Sequence, residues 1–149
     1  MSKLRLEKAQ ALLKAVMEEH IAFNKHLGLK VESFDPAAPK LRFDMRPELV
    51  GNPARQILHG GVISATLDVA GGLAIMLSFA QEATITPASF PNIGTIDLRV
   101  DYLRPGRGKH FIATARIVRK GSRIAVVHME LHNDTGELIA TGGGAYVVG

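Results

Sequence analysis

The run His59-Gly60-Gly61-Val62-Ile63-Ser64-Ala65-Thr66-Leu67-Asp68 holds the residues of this chain whose types and spacing could do chemistry. Asp68 is the one charge in a stretch that stays apolar through Ala80, on nearly every face a helix would present. Burial penalises the ionised form of a carboxylate, so an acid here must be paired or used. Ahead of it, the Gly60-Gly61 step leaves the first N–H groups of a helix without intrahelical partners and unshielded by side chains, at the positive end of the helix dipole. Donors so placed can polarise a carbonyl oxygen. A base and an oxyanion donor must each lie ~3 Å from the reacting group, whereas the eight positions from Gly60 to Asp68 span about 12 Å of helix. Two copies of the helix, antiparallel about a two-fold axis, would set Gly60 of one beside Asp68 of the other. An active site built on these residues is therefore shared by a homodimer. The quieter alternative for Asp68 is a carboxylate satisfied by hydrogen bonds at a dimer interface.

Four further features bear on chemistry. His59 either supports the site directly or caps and packs the helix start. Asn52, beside Gly51, could hold a water or a substrate amide, or simply make a turn. His128, Glu130 and His132 alternate along one strand and share a face, which could ligate a metal. Their neighbours Val127, Met129 and Leu131 supply the buried face, so the triplet reads as an outward solvated stripe and no metal is expected. Ser64 and Ser78 lack any histidine-based triad signature, which disfavours acyl hydrolysis by serine.

These residues need a frame. The segment 1–28 carries an amphipathic helix from residue 3 to about 26, with Leu6, Leu13, Val16, Met17 and Ile21 on one side and Gly28 as its stop. Leu29–Phe34 and Lys40–Met45 read as two antiparallel strands about a Pro-rich turn, and Arg46–Leu58 as a long ordered loop delivered to the helix start. The central helix covers 59–81. A long strand follows at Ile93–Arg104, with Ile96, Leu98, Val100 and Tyr102 on one face, and then runs at Lys109–Arg119, Arg123–Asn133 and Glu137–Val148. Short Gly-containing turns between them imply an antiparallel meander, and Gly142-Gly143-Gly144 a bend or a close backbone approach. The fold class is α+β: one domain over 1–149, a six-strand antiparallel sheet around a long central helix, with an additional N-terminal helix.

Composition narrows the function. No cysteine occurs among the 149 residues, which removes disulfides, a thiolate nucleophile and thiolate metal sites and makes a reducing cytoplasm the expected home. The N-terminus lacks the apolar core of a signal peptide, and Asp68, the glycines, Thr66 and the serines argue against a membrane span at Val62–Ala80. The net charge of +4 suits an anionic substrate, but with basic residues scattered and aromatics at 5%, nucleic-acid binding is not expected.

Gly51-Asn52, Leu58-His59-Gly60-Gly61 with Asp68 at its offset, Thr95-Ile96-Asp97-Leu98 leading to Tyr102-Leu103-Arg104-Pro105-Gly106, and the Lys120-Gly121 turn together resemble the hotdog-fold thioesterases. Within them the chain is similar to the group typified by the phenylacetate-degradation thioesterase and the human mitochondrial-associated acyl-CoA thioesterases. Gly51-Asn52-Pro53 and Leu58–Ala65 look closest to bacterial members that hydrolyse medium- and long-chain acyl-CoA. The resemblance implies that Asp68 activates the attacking water or attacks the thioester itself. It implies that Gly60 N–H polarises the carbonyl, His59 supports the site, Asn52 helps hold water or substrate, and Thr95 supplies a hydroxyl that orients the water. Asn52 precedes His59 by one residue more than in the human relative.

Coenzyme A, part of the substrate rather than a separate cofactor, brings phosphate charges. The resemblance assigns them to Arg104, Arg107, Arg119, Lys120, Gly121 and Arg123, at or beside two turns. The acyl tunnel would draw on Leu49, Ile75, Met76 and Phe79, in an assembly that is a dimer at least and a tetramer as the larger option. Two other classes share the fold. Dehydratases or hydratases of acyl thioesters use a catalytic His with an acidic partner in motifs this chain lacks. Acyl-binding regulators add a helix-turn-helix, for which the N-terminal helix is too short.

Overall fold

The computed structural model describes residues 2–149. The N-terminal segment opens with α1 (Lys3–Ala15), whose Ser2 cap accepts the Arg5 N–H through its hydroxyl. One helix to residue 26 is expected, but the chain instead widens into a π-turn over Val16–His20, breaks at Ile21 and resumes as α2 (Ala22–Leu27). The break is stabilised locally. Ile21 N–H reaches back to Val16 O at 3.0 Å, and buried Asn24 donates Nδ2–H to Met17 O at 3.0 Å, which satisfies a carbonyl the interrupted helix strands. Gly28 then ends α2 at φ 73°, the left-handed turn that glycine takes without strain.

Strands β1 (Lys30–Ser33) and β2 (Lys40–Asp44) form the expected antiparallel pair. The stretch 46–58 is more ordered than its lack of period suggests: a 3-10 turn at Pro47–Leu49 leads into a small hairpin, β3 (Val50–Asn52) and β4 (Ile57–Leu58). The central helix α3 (Gly60–Glu82) follows, and then β5 (Gly94–Tyr102), β6 (His110–Lys120), β7 (Ile124–Asn133) and β8 (Leu138–Val147).

The main sheet has six antiparallel strands in the order β1-β2-β6-β7-β8-β5. The meander holds for β6-β7-β8 but does not begin with β5. That strand lies at the far edge, paired with β8, because Leu103 and Arg104 both donate their N–H to Ile139 O at the start of β8. The connection to β6 passes under the start of α3, where Gly106 O accepts the Leu58 N–H at 3.0 Å.

Alternation along β7 settles which face is which. Ala125, Val127, Met129 and Leu131 are buried against α3, and His128, Glu130 and His132 point outward. Glu130 is shared by the two imidazoles at 3.5 and 3.9 Å, and no group among the described residues is arranged to hold a metal ion. On β8, close approach explains the glycines: a Cβ on Gly142 would lie 3.3 Å from Leu67 of α3 and 3.3 Å from Arg99 O of β5. Helix α3 is long and apolar enough to cross a membrane, but 56% of its most apolar window is buried inside the protein, in the curve of the sheet.

Candidate active site

The start of α3 is built by its own cap. His59 holds an extended backbone (φ −65°, ψ 133°), accepts the Val62 N–H with its carbonyl and accepts the Gly61 N–H with Nδ1 at 2.8 Å. A ring nitrogen that accepts carries no proton, so the imidazole proton sits on Nε2. Capping is the geometry observed for His59. With Gly61 and Val62 so engaged, the Gly60 N–H has no acceptor within the chain among the described residues. The cap is braced from behind: His59 N–H donates to Leu49 O at 2.8 Å, and β3 passes so close that a side chain on Gly51 would overlap His59 Cα. Asn52 lies in that hairpin, where Oδ1 accepts the Arg55 N–H at 3.1 Å and the carbonyl accepts the Gln56 N–H at 2.8 Å. Its carboxamide oxygen is thus committed to the turn.

Asp68 sits two turns further on, half-buried, with two hydroxyl donors on one oxygen. Thr95 Oγ1 donates to Oδ1 at 2.8 Å, and Tyr146 Oη donates to the same Oδ1 at 3.0 Å while lying 3.1 Å from the Asp68 carbonyl. Plain alternation puts Ile96, not Thr95, on the face of β5 toward the helix. A bulge between Thr95 and Asp97 reverses the phase: Thr95 pairs across from inward Tyr146, while Ile96 is 52% exposed. Burial, then the Asp68 charge and the hydrogen bond to it, push the Tyr146 phenol far above its ordinary range, so it remains a donor. Tyr146 is absent from the sequence-level candidates. The signal available was a residue with a polar tip on the inward face of β8, opposite a helix glycine.

Edge strand β5 touches both ends of the site. Near its start Thr95 holds Asp68, and at its end the Tyr102 ring covers Gly60, with Oη donating to Gly60 O at 3.1 Å. Tyr102 was legible as a strand residue but not as a partner of the helix tip. Among the described residues, the far side of β5 has no strand beside it. Helix α3 is not sealed all round: Gly61, Ala65, Asp68, Gly72, Met76 and Phe79 form an incompletely covered stripe at helical spacing, widened by half-buried Val62, Ser64, Val69 and Ser78. Within one chain the Gly60 donor and the Asp68 carboxylate remain about 12 Å apart along the helix.

The cationic candidates fall into two groups at opposite ends of α3. Arg104 and Arg107 lie near its start, donating to Leu138 O and Arg55 O. Beside them a cavity of about 310 Å3 is lined by Gly60, Ile63, Tyr102, Arg104 and also Arg55, a cation that sequence reasoning missed. Exposed Arg119 and Arg123 flank the β6–β7 turn, where Gly121 N–H bonds Ile124 O. Lys120 is turned inward by a bulge in β6; its Nζ lies 3.8 Å from the Phe79 ring centre and 2.8 Å from Glu82 Oε1. Of the residues expected to wall a tunnel, Ile75 and Leu49 are sealed in the core at 0% and 2% exposure, whereas Met76 and Phe79 lie on the open stripe. Leu49 and Ile75 thus belong to the hydrophobic core of the subunit itself.

A family model described as the thioesterase superfamily matches residues 55–140. A medium/long-chain acyl-CoA thioesterase, YigI, of Salmonella typhimurium is 44% identical over 98% of this chain and 97% of its own length. Its Escherichia coli counterpart of the same name is 42% identical over the same shares. The crystal structure of a Shewanella oneidensis protein related to the thioesterase superfamily, 39% identical, superposes with a TM-score of 0.89 over 100% of both chains.

Proposed function

The chain belongs to the thioesterase superfamily and has its hotdog fold, and from that premise we propose that it is an acyl-CoA thioesterase, acting on medium- to long-chain acyl groups at a site shared by two subunits. The observation that carries this reading is the half-buried Asp68 carboxylate, held by Thr95 and Tyr146 on the uncovered stripe of α3. Held in this way, the carboxylate stands in a fixed position on the face where a water molecule could meet it.

In the reaction, water attacks the thioester carbonyl carbon and gives its proton to Asp68, while the carbonyl oxygen, becoming an oxyanion, receives the Gly60 N–H of the other subunit. Collapse of the tetrahedral intermediate breaks the C–S bond. The proton on Asp68 passes to the departing sulfur, so the products are the free acid and coenzyme A. In this reading two copies pair through the open edge of β5, and what supports it is that this one strand holds Asp68 near its start and Gly60 at its end. A two-fold axis through it brings each group toward the other's copy. The arrangement also carries the Arg119–Arg123 end of one subunit toward the Arg55, Arg104 and Arg107 end of its partner. Together they form a cationic rim suited to the nucleotide phosphates of coenzyme A.

The acyl preference follows from the stripe and from the two relatives named for medium- and long-chain substrates. From Asp68 to Phe79 the open face is apolar or small for about 16 Å, and Phe79 with Lys120 closes its end. Coenzyme A release measured from acetyl-CoA to palmitoyl-CoA, with phenylacetyl-CoA as the aromatic arm, should give kcat/KM rising by about 10-fold or more from acetyl to the medium-length chains, as added methylenes are buried. A flat profile, or a maximum at the aromatic substrate, would refute the chain-length reading. Water addition to an enoyl-CoA without thiol release would replace hydrolysis by the hydratase alternative.

A further inference from the structure

Tyr146 is among the largest fully buried side chains of the protein, and its hydroxyl reaches the Asp68 carboxylate from the core side. We propose that Tyr146 is a positioning residue for the hydrolysis: with Thr95 it pins Oδ1 of Asp68, so that Oδ2 is the oxygen presented to the attacking water. This role rests on Asp68 being the base.

Three observations carry it. First, Oδ1 receives both hydroxyl donors, at 2.8 and 3.0 Å, while no donor reaches Oδ2 among the described residues. Two protein donors engage the lone pairs of one oxygen and leave those of the other for water. Second, Tyr146 Oη is within 3.1 Å of the Asp68 carbonyl as well, so one phenol spans backbone and side chain of the same residue and restricts the rotation of the carboxylate. Third, two glycines on two different elements clear the space. A Cβ on Gly71 of α3 would overlap Oη and lie 2.9 Å from Cζ, and one on Gly144 of β8 would lie 3.0 Å from Cε2. Glycine is a poor residue for a helix interior, and Gly71 stands where alanine would displace the phenol. A tyrosine needed only as filler would be served equally by phenylalanine, without burying a hydroxyl.

Tyr146→Phe keeps the ring and removes the donor. The expected result is a dimer with an unchanged melting temperature, kcat lower by about 10- to 100-fold and KM within about twofold, since the loss falls on the transition state rather than on substrate binding. Gly71→Ala, which forces the oxygen aside, should reproduce the split. In a Thr95→Val background the second loss should not multiply with the first, because both donors serve one oxygen. A crystal structure of Tyr146→Phe should show the Asp68 carboxylate rotated from its wild-type position. An unchanged kcat, a carboxylate that does not move, or a rate loss that only follows a loss of melting temperature would overturn the role of Tyr146. An active Asp68→Asn protein would instead remove the base itself. An inactive Asp68→Asn with a fully active Tyr146→Phe would discard the present inference alone.

Discussion

Asp68→Asn should lower kcat for coenzyme A release by about 100- to 10,000-fold, the range spanned by loss of a positioned general base, with KM changed little. Asparagine is nearly isosteric, and its carbonyl oxygen can still accept from Thr95 and Tyr146, so the local packing survives. What it cannot do is take a proton from water. The variant should therefore fold, dimerise and bind substrate while turning over poorly, and steady-state thiol release with a melting curve on the same sample separates these effects. A carboxylate that merely satisfies an interface would give the opposite pattern: lost association or stability and preserved rate per remaining dimer.

Gly60→Pro removes a single N–H from the site and little else. The position is the first residue of α3, where proline is compatible with the helix, and His59 ahead of it already has the extended backbone that a following proline requires. Gly61 N–H stays on His59 Nδ1, so the cap persists. The one steric question is the Tyr102 ring, 3.3 Å from where a Cβ would stand, and an exposed tyrosine can yield that much. Loss of the oxyanion donor should lower kcat by about 100- to 1,000-fold. Gly60→Ala, which keeps the N–H, should retain most of the activity. Equal losses in the two variants would mean that space against Tyr102, rather than the donor, is what glycine supplies.

Much of this site can be read from local pattern. An all-round apolar run behind Gly60-Gly61 announces α3, the lone Asp68 announces itself by its expense, and the strict alternation at Ala125–Leu131 separates the core face of β7 from the outward histidines. The length of helix between Gly60 and Asp68 already shows that the two cannot serve one reacting group within a single chain. Other features depend on contacts between distant residues. Periodicity puts Ile96 inward, and only the bulge opposite Tyr146 brings Thr95 to Asp68. Strand order is likewise absent from local sequence: β5 reads as the first strand of a meander and lies instead beside β8, because its end is tied to Ile139. Tyr146 is 78 residues from Asp68, and Gly71, which looks like a weak point in the helix, has its reason on the opposite strand. The helix break at Ile21 escapes detection because neither glycine nor proline marks it; the compensation comes from Asn24.

Subunit complementation tests the shared site most directly. Asp68→Asn and Gly60→Pro proteins, each nearly inactive alone, are unfolded together in equal amounts, refolded and assayed for coenzyme A release. If the carboxylate of one subunit works with the Gly60 N–H of the other, each mixed dimer holds one intact centre and one doubly damaged one. Random re-pairing should then restore about a quarter of the wild-type rate. If both groups act within a single chain, no intact centre can form, and a mixture no more active than its two parents would contradict the account.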